Sequence, residues 1–291
     1  MIATDHIRKI SQSSYHSKPP LFCVPGLFGS PYYFTQLSIH LGIEQPFYSW
    51  QQANSWESSF PFYRLEILAS QYVSSLKKIQ PQPPYYLAGH SFGGLVAFEM
   101  ARQLSISGEK VALVAILDTT APIASQKANL TKFINSANNL DYLNLIKEMF
   151  ESDFGELVPT HFYQKRDSIH AVTSFESIFA QIREFSLLLN FREVIQMERI
   201  FSVFKNNMQS MLNYTPLKIT QIPLVLYRAD EKTYEKLNHT LFLNRLINSS
   251  TYGWNELTDN IKVCQTPGNH STMLTSPYVQ TLANLLRSQL N

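Results

Sequence analysis

Short apolar runs alternate with helical apolar spacings along much of the chain, which predicts strands that alternate with helices. The predicted strands cover residues 20–24, 47–50, 85–88, 111–117, 222–227 and 261–264, and the predicted helices cover residues 31–41, 62–79, 95–104 and 277–286. The run at residues 111–117 is apolar throughout, which is typical of a parallel strand that is buried on both faces. The pattern therefore predicts an α/β fold with a mostly parallel central sheet and helices on both faces.

The alternation of strand and helix stops between residues 122 and 220, where long helical spacings take over. Two apolar helix faces stand out there, and they consist of Ile178, Ile182, Phe185 and Leu189, and of Val194, Met197, Ile200, Phe204, Met208 and Met211. We therefore predict a polar leader at residues 1–19, a core at 20–121 and 221–291, and a helical insertion at 122–220. An insertion above the carboxyl edge of the sheet predicts a lid that lines an apolar channel.

Composition excludes several classes of partner for this chain of 291 residues. The net charge is +2 and no cluster of lysine and arginine is present, so neither nucleic acid nor an anionic membrane is indicated. Cys23 and Cys264 lie in apolar runs without metal-ligand spacing, which predicts reduced core residues and no metal site. The polar amino terminus and the absence of a long apolar run predict a cytoplasmic protein without a membrane span.

The strongest chemical signal is the sequence Gly89-His90-Ser91-Phe92-Gly93, which lies where a predicted strand meets a predicted helix. Glycines two residues before and after a serine allow strand and helix to pass closely, and the bend exposes the serine hydroxyl. The alternative is a turn without chemistry. The strand and the helix on either side favour the nucleophile elbow of an α/β hydrolase, with Ser91 as the nucleophile.

A second loop follows the first predicted strand at Pro25–Gly29. After it, Ser30-Pro31 has the residue types of a helix start, and Ser276-Pro277 repeats this signal before the last helix. By analogy with α/β hydrolases, the backbone N–H groups of Leu27 and Phe92 would form the oxyanion hole. The alternative for this loop is an ordinary turn.

Candidate acids and bases also lie at strand ends. Asp118 directly follows the strand at 111–117, and Asp230 follows the strand after the insertion, in a charged turn. His270 lies in the loop after the last predicted strand, whereas the other seven histidines, including His90, show no comparable position at a strand end. The chain order serine, aspartate, histidine fits a catalytic triad, with either aspartate as the acid.

Three segments resemble the thioesterase domains that end nonribosomal peptide and polyketide synthases: residues 80–94, residues 117–122 with the sequence LDTTAP, and residues 268–274 with the sequence GNHSTML. The resemblance spans residues 20–290 and is weakest in the insertion. It implies an α/β-hydrolase fold and favours Asp118 over Asp230, because the acid of that family follows the strand directly after the elbow helix. It also implies Ser91 and His270 as nucleophile and base.

The same resemblance implies a substrate. The expected reaction is hydrolysis or cyclisation of an acyl or peptidyl thioester through an acyl-enzyme. The expected partner is an acyl or peptidyl carrier protein or another pantetheine thioester donor, and no cofactor is expected beyond the phosphopantetheine or coenzyme A arm. The short leader after Met1 predicts a freestanding enzyme or a part of a longer synthase, and no oligomeric state is predicted. The alternatives are a carboxylesterase or lipase that acts on oxygen esters, and a non-catalytic binding protein of the same fold.

Overall fold

A seven-stranded sheet with the strand order β1-β3-β2-β4-β5-β6-β7 forms the centre of the protein. The structure is a computed structural model, and it describes residues 6–11, 18–52, 64–123, 202–204, 206–230 and 249–290. The strands are β1 (His6–Lys9), β2 (Leu21–Val24), β3 (Phe47–Gln51), β4 (Tyr85–His90), β5 (Val111–Leu117), β6 (Leu224–Ala229) and β7 (Ile261–Thr266). The helices discussed below are α1 (Thr35–Leu41), α2 (Leu65–Ile79), α3 (Phe92–Ile106) and α4 (Val279–Arg287).

Six of the seven strands are parallel, as the apolar runs predicted. β4 pairs with β2 on one side and with β5 on the other, so it is the middle strand of the sheet. Alternating side chains of a strand point to opposite faces, and Leu21 and Cys23 accordingly enter one core while Phe22 and Val24 enter another. Helices α2 and α3 contribute to the core that contains Phe22, and α1 and α4 contribute to the other. The prediction of helices on both faces is confirmed.

The seventh strand lies in the segment predicted as a polar leader. β1 runs antiparallel to β3, with Ile7 opposite Trp50, and it forms one edge of the sheet. An edge strand pairs on one side only, so its residues need not carry the continuous apolar pattern of a central strand. The leader at residues 1–19 therefore contributes a strand that the sequence did not predict.

Two predicted helix starts are wrong. The Ser30-Pro31 pair precedes a short 3-10 turn, and α1 begins only at Thr35, without a side chain that caps it. Likewise, α4 begins at Val279, after the Ser276-Pro277 pair, and again no side chain caps the helix. In both places a turn occupies the residues between the proline and the helix, and packing of the apolar helix face determines where the helix begins.

Most of the predicted insertion lies outside the described residues, namely 124–201 and 205. The lid and the apolar face formed by residues 178–189 therefore stay predictions, as do the domain boundaries. The described end of the insertion is helical at residues 202–204 and 206–213, and it packs into the core through Phe204 and Met208.

Cys23 is buried and Cys264 is partly buried, and both thiols are free. Within the part of the chain that the structure describes, every helix is too short or too polar to cross a lipid bilayer.

Candidate active site

Ser91 occupies the turn between β4 and α3 in a strained backbone conformation, with φ 54° and ψ −128°. The flanking glycines permit this turn. A Cβ atom at Gly89 would overlap the backbone of Gly93, and a Cβ atom at Gly93 would overlap the carbonyl groups of Val24 and Pro25. Close passage of α3 against β4 therefore requires glycine at Gly89, and its close passage past the end of β2 requires glycine at Gly93. The structure thus builds the predicted nucleophile elbow.

The end of β5 is joined to this turn by the residue after Asp118. Thr119 Oγ1 donates a hydrogen bond to the Ser91 carbonyl oxygen over 2.8 Å, and the Ser91 N–H donates to the Leu117 carbonyl oxygen over 3.2 Å. A Cβ atom at Gly94 would overlap the Thr119 side chain, so the first turn of α3 rests directly on the strand exit. Asp118 itself has a positive φ of 47°, and it leaves the sheet beside Ser91.

His270 and Asp118 form a close pair. Asp118 Oδ2 lies 2.8 Å from His270 Nδ1, and Asp118 Oδ1 accepts a hydrogen bond from the Ala229 N–H over 3.0 Å. The carboxylate is largely withdrawn from solvent, and this burial alone would raise its pKa. The hydrogen bonds and the charge of the imidazole outweigh the burial and hold the pKa of Asp118 below its ordinary value. The aspartate is therefore an anion, and His270 Nδ1 carries the hydrogen that it accepts.

The loop that carries His270 is built by its neighbours. Gly268 takes a φ of 87°, where a residue with a Cβ atom would be strained. The Asn269 carboxamide oxygen then accepts hydrogen bonds from the N–H groups of Ser271 and Thr272, over 3.0 and 2.9 Å. This short-range network holds the backbone on either side of His270 in one conformation.

The other candidate acid has a different environment. Asp230 follows β6 and is exposed, and its N–H bonds the Thr266 carbonyl oxygen over 2.8 Å. The side chain of Asp118, in contrast, is 10% exposed and faces His270. Of the two aspartates that sequence reasoning left open, the structure brings Asp118 to the imidazole.

His90 is a residue of the site that sequence reasoning missed, because the statement that it lacks a strand-end position was wrong. It is the last residue of β4, it is 3% exposed, and its Nε2 lies 2.8 Å from the His270 carbonyl oxygen. The ring centroids of His90 and His270 are 4.6 Å apart. Burial, followed by the nearby His270, lowers the pKa of His90 from 6.5 to about 3. A neutral His90 therefore donates its Nε2 hydrogen to the loop that holds His270.

Tyr252 and Trp254 also lie at the exit of β5, and no pattern in the sequence pointed to either residue. Trp254 Nε1 donates to the Thr119 carbonyl oxygen over 2.7 Å, and the Ala121 N–H donates to the Tyr252 carbonyl oxygen over 2.9 Å. Burial, followed by the charge of Asp118, raises the pKa of Tyr252, so its hydroxyl stays protonated beside the carboxylate. Both rings are buried, and Tyr252 lies next to Asp118.

The loop at residues 25–29, called the oxyanion loop below, lies against the nucleophile. A Cβ atom at Gly26 would be 3.6 Å from Ser91 Cβ. Among the described residues, the Leu27 N–H has no hydrogen-bond partner. Phe92 is the first residue of α3, so no preceding helical turn supplies a carbonyl group for its N–H. These are the two groups that the sequence assigned to the oxyanion hole. Free donors on either side of a serine can bind a developing negative charge.

The arrangement combines a strained serine, a histidine with one nitrogen bound to a buried carboxylate, and free backbone donors. Within the described residues, no group of three or more histidine, cysteine, aspartate or glutamate side chains could hold a metal ion. The geometry therefore suits nucleophilic attack on an acyl carbon.

Comparisons with known proteins agree with this chemistry. A family model described as Thioesterase domain matches residues 19–289. Chondramide synthase cmdD of Chondromyces crocatus is 26% identical over 281 residues, which are 94% of this chain and 7% of that protein. Malpinin synthetase of Mortierella alpina is 45% identical over 105 residues, which are 36% of this chain and 1% of that protein. The chain thus spans only a small fraction of the length of these two relatives.

Solved structures share the fold. A four-domain nonribosomal peptide synthetase, holo-AB3403 bound to AMP and glycine, superposes with a TM-score of 0.68 and 21% identity, over 97% of this chain and 20% of the other. The NocB thioesterase domain, in a covalent complex with a fluorophosphonate nocardicin G analogue, superposes with a TM-score of 0.61 and 16% identity, over 98% of this chain and all of the other.

Proposed function

The chain belongs to the thioesterase domain family, and from this premise we propose that it cleaves acyl or peptidyl thioesters through Ser91, His270 and Asp118. The observation that carries the proposal is the His270–Asp118 pair of 2.8 Å, held next to a serine in the strained turn of a nucleophile elbow. Three hydrogen-bonded links join these segments: His90 to the His270 carbonyl, Thr119 to the Ser91 carbonyl, and Asp118 to the imidazole.

In the proposed reaction, Ser91 Oγ attacks the thioester carbonyl carbon while its proton moves to His270 Nε2. Asp118 accepts the Nδ1 hydrogen, so it selects this tautomer and stabilises the imidazolium that forms. Collapse of the tetrahedral intermediate breaks the carbon–sulfur bond, and the imidazolium returns the proton to the departing thiolate. Water, or a nucleophile within the acyl chain, then attacks the acyl-serine and releases an acid or a cyclic product.

Charge on the tetrahedral oxygen would be bound by the N–H groups of Leu27 and Phe92. Loss of one such donor typically lowers turnover on the order of 10²–10³-fold. The amino end of α3 adds a partial positive charge at the same place, because α3 begins at Phe92 and its first N–H groups have no partner within the helix.

We further propose that the thiol of the substrate is a pantetheine arm, on an acyl or peptidyl carrier protein or on coenzyme A. The relatives support this, because the matched region is a small part of much longer synthases and synthetases. The reaction needs no other cofactor, since serine, histidine and backbone groups supply the nucleophile, the base and the charge stabilisation.

A fluorophosphonate probe tests the nucleophile, and the thioester preference tests the substrate class. We expect the folded protein to be labelled once, at Ser91, and the Ser91→Ala variant to remain unlabelled. Hydrolysis of an acyl-pantetheine thioester should then exceed hydrolysis of the matched oxygen ester. A large preference for the oxygen ester would favour a carboxylesterase instead, and a folded protein without labelling would contradict catalysis by Ser91.

A further inference from the structure

A buried amide near the end of the predicted insertion forms a hydrogen bond to the oxyanion loop. Asn207 lies in the helical residues 206–213 and is 1% exposed. Its Nδ2 donates a hydrogen bond to the Leu27 carbonyl oxygen over 2.8 Å, across 180 residues of sequence. A polar side chain that is so fully buried needs partners for its donors and acceptors. Asn207 finds one of them in the residue assigned to the oxyanion hole.

Gln52 supplies the remaining partners. Asn207 Nδ2 also donates to Gln52 Oε1 over 2.8 Å, and Gln52 Nε2 donates to Asn207 Oδ1 over 3.0 Å. The Leu27 carbonyl oxygen can only accept, so the amide must present its nitrogen there. The reciprocal pair with Gln52 requires the same orientation. The Asn207 amide is therefore locked, and both of its polar atoms are in use.

The hydrogen bonds of the oxyanion loop fix the peptide units around Leu27. The Gly26 N–H donates to the Tyr33 hydroxyl over 2.6 Å, and the Gly26 carbonyl oxygen accepts from the Gly29 N–H over 3.0 Å. On the other side, Asn207 holds the Leu27 carbonyl. Among the described residues, the Leu27 N–H is left without a partner. Within the described part of the chain, the loop therefore leaves the Leu27 N–H available to an oxyanion, next to the Phe92 N–H of α3.

Apolar side chains of the same segment also pack against the oxyanion loop. The Phe204 ring stacks on the Phe28 ring with centroids 5.0 Å apart. Gly29 has a φ of 66°, and a Cβ atom there would lie 3.0 Å from Val203 Cγ1. The segment around Asn207 therefore packs tightly against the loop, and among its described residues Asn207 alone donates a hydrogen bond to the Leu27 carbonyl.

We propose that Asn207 is a positioning residue for the oxyanion hole. Its hydrogen bond to the Leu27 carbonyl fixes the peptide unit that follows Leu27. The unit that carries the Leu27 N–H is held through the Gly26 carbonyl, which accepts from the Gly29 N–H. With both units held, the backbone cannot rotate at Leu27, and its N–H stays directed toward the tetrahedral oxygen. The inference rests on the proposed thioesterase function. It extends the active site to a residue near the end of the predicted insertion, which acts through Leu27 and not on the substrate itself.

Asn207→Ala tests the inference, with Asn206→Ala as the matched control. Asn206 is the adjacent asparagine in the same helix, it is partly exposed, and its side chain makes no hydrogen bond with a described residue. We expect Asn207→Ala to lower kcat for an acyl-pantetheine thioester by about 10- to 100-fold with little change in KM, because a misplaced donor forfeits part of its effect. Asn206→Ala should keep the kcat of the natural sequence.

Asn207→Asp provides a second variant that is nearly isosteric. Its carboxylate can still accept from Gln52 but cannot donate to the Leu27 carbonyl, so kcat should fall at least as far as in Asn207→Ala. An alkylboronic acid, which forms a tetrahedral adduct with an active serine, should bind both Asn207 variants more weakly by the same factor as the loss in kcat. A thioether analogue of the substrate, which has no such oxygen, should bind them as it binds the natural sequence.

These measurements separate positioning from general destabilisation when they are made well below each variant's Tm. The inference is overturned if both Asn207 variants turn over the thioester and bind the boronic acid like Asn206→Ala. An equal loss of affinity for the thioether analogue would also overturn it, since this would indicate a general distortion of the site. A natural sequence that neither turns over the thioester nor binds the boronic acid would overturn the proposed function itself.

Discussion

Replacement of the buried His90 by glutamine should change how stability depends on pH. Burial and the neighbouring His270 lower the pKa of His90 from 6.5 to about 3, so the folded protein keeps this ring neutral where the unfolded chain protonates it. Between pH 6.5 and about pH 3, the unfolded state therefore binds more protons than the folded state. Stability therefore falls as the pH falls below 6.5, and the contribution of His90 is fully present only above that value.

The size of the effect follows from the two pKa values. Each pH unit inside this window changes the free energy of unfolding by up to about 1.4 kcal/mol. Between pH 7 and pH 4.5, His90 should therefore remove about 2.5 kcal/mol of stability. Asp118 does not interfere in this range, because its folded pKa lies below an ordinary value of 3.8. Its contribution to stability is lost only at more acid pH.

Urea denaturation of the natural sequence and of His90→Gln at pH 7, 6, 5 and 4.5 measures this difference. Glutamine does not titrate, and its amide can donate to the His270 carbonyl in place of the imidazole. His40→Gln, at a partly exposed position of α1, serves as the surface control. We expect His90→Gln to lose about 2.5 kcal/mol less than the other two proteins between pH 7 and 4.5. Parallel pH curves for all three would refute the assignment of a buried, neutral His90.

Three further predictions concern the acid, the elbow and a buried network. Asp118→Asn should lower kcat on the order of 10⁴-fold by favouring the wrong imidazole tautomer, whereas Asp230→Asn should retain near-normal turnover. Steady-state kinetics measures both variants, and a large loss in Asp230→Asn with little loss in Asp118→Asn would contradict the choice of Asp118. Gly93→Ala should destabilise the fold by about 3 kcal/mol in urea, because its Cβ would overlap the carbonyl groups of Val24 and Pro25. Tyr214→Phe removes a 2.9 Å hydrogen bond to the buried Glu99, so it should cost about 1–2 kcal/mol of stability with kcat unchanged.

Local patterns predicted the sheet and the order of the site residues. Val111–Leu117 is β5 as expected, because a strand buried on both faces must be apolar throughout. Ser91 was identified from its flanking glycines, since steric overlap restricts residue type there whatever the rest of the fold does. Asp118 and Asp230 were harder to distinguish. Both follow a strand, and the sequence favoured Asp118 only through the family resemblance and the charged turn around Asp230. In the structure the side chain of Asp118 is 10% exposed and faces His270, whereas Asp230 is exposed.

Long-range contacts were beyond the reach of these patterns. The bond of His90 to the His270 carbonyl and the bond of Asn207 to the Leu27 carbonyl each join residues 180 positions apart. Neither side chain breaks the local pattern in a way that would reveal its partner. β1 was missed for a different reason, because an edge strand pairs on one side and carries no continuous apolar run.

A long connection joins the neighbouring strands β5 and β6, and its length can change without much effect on the stability of the sheet. These strands are hydrogen-bonded neighbours, yet 106 residues separate Leu117 from Leu224. The entropy lost on closing a loop grows only with the logarithm of its length, so that a doubling adds roughly 0.6 kcal/mol. Substantial additions or deletions between these strands would therefore hardly weaken the sheet. The length of this segment can therefore change while the elbow, the histidine loop and the strand register stay as they are.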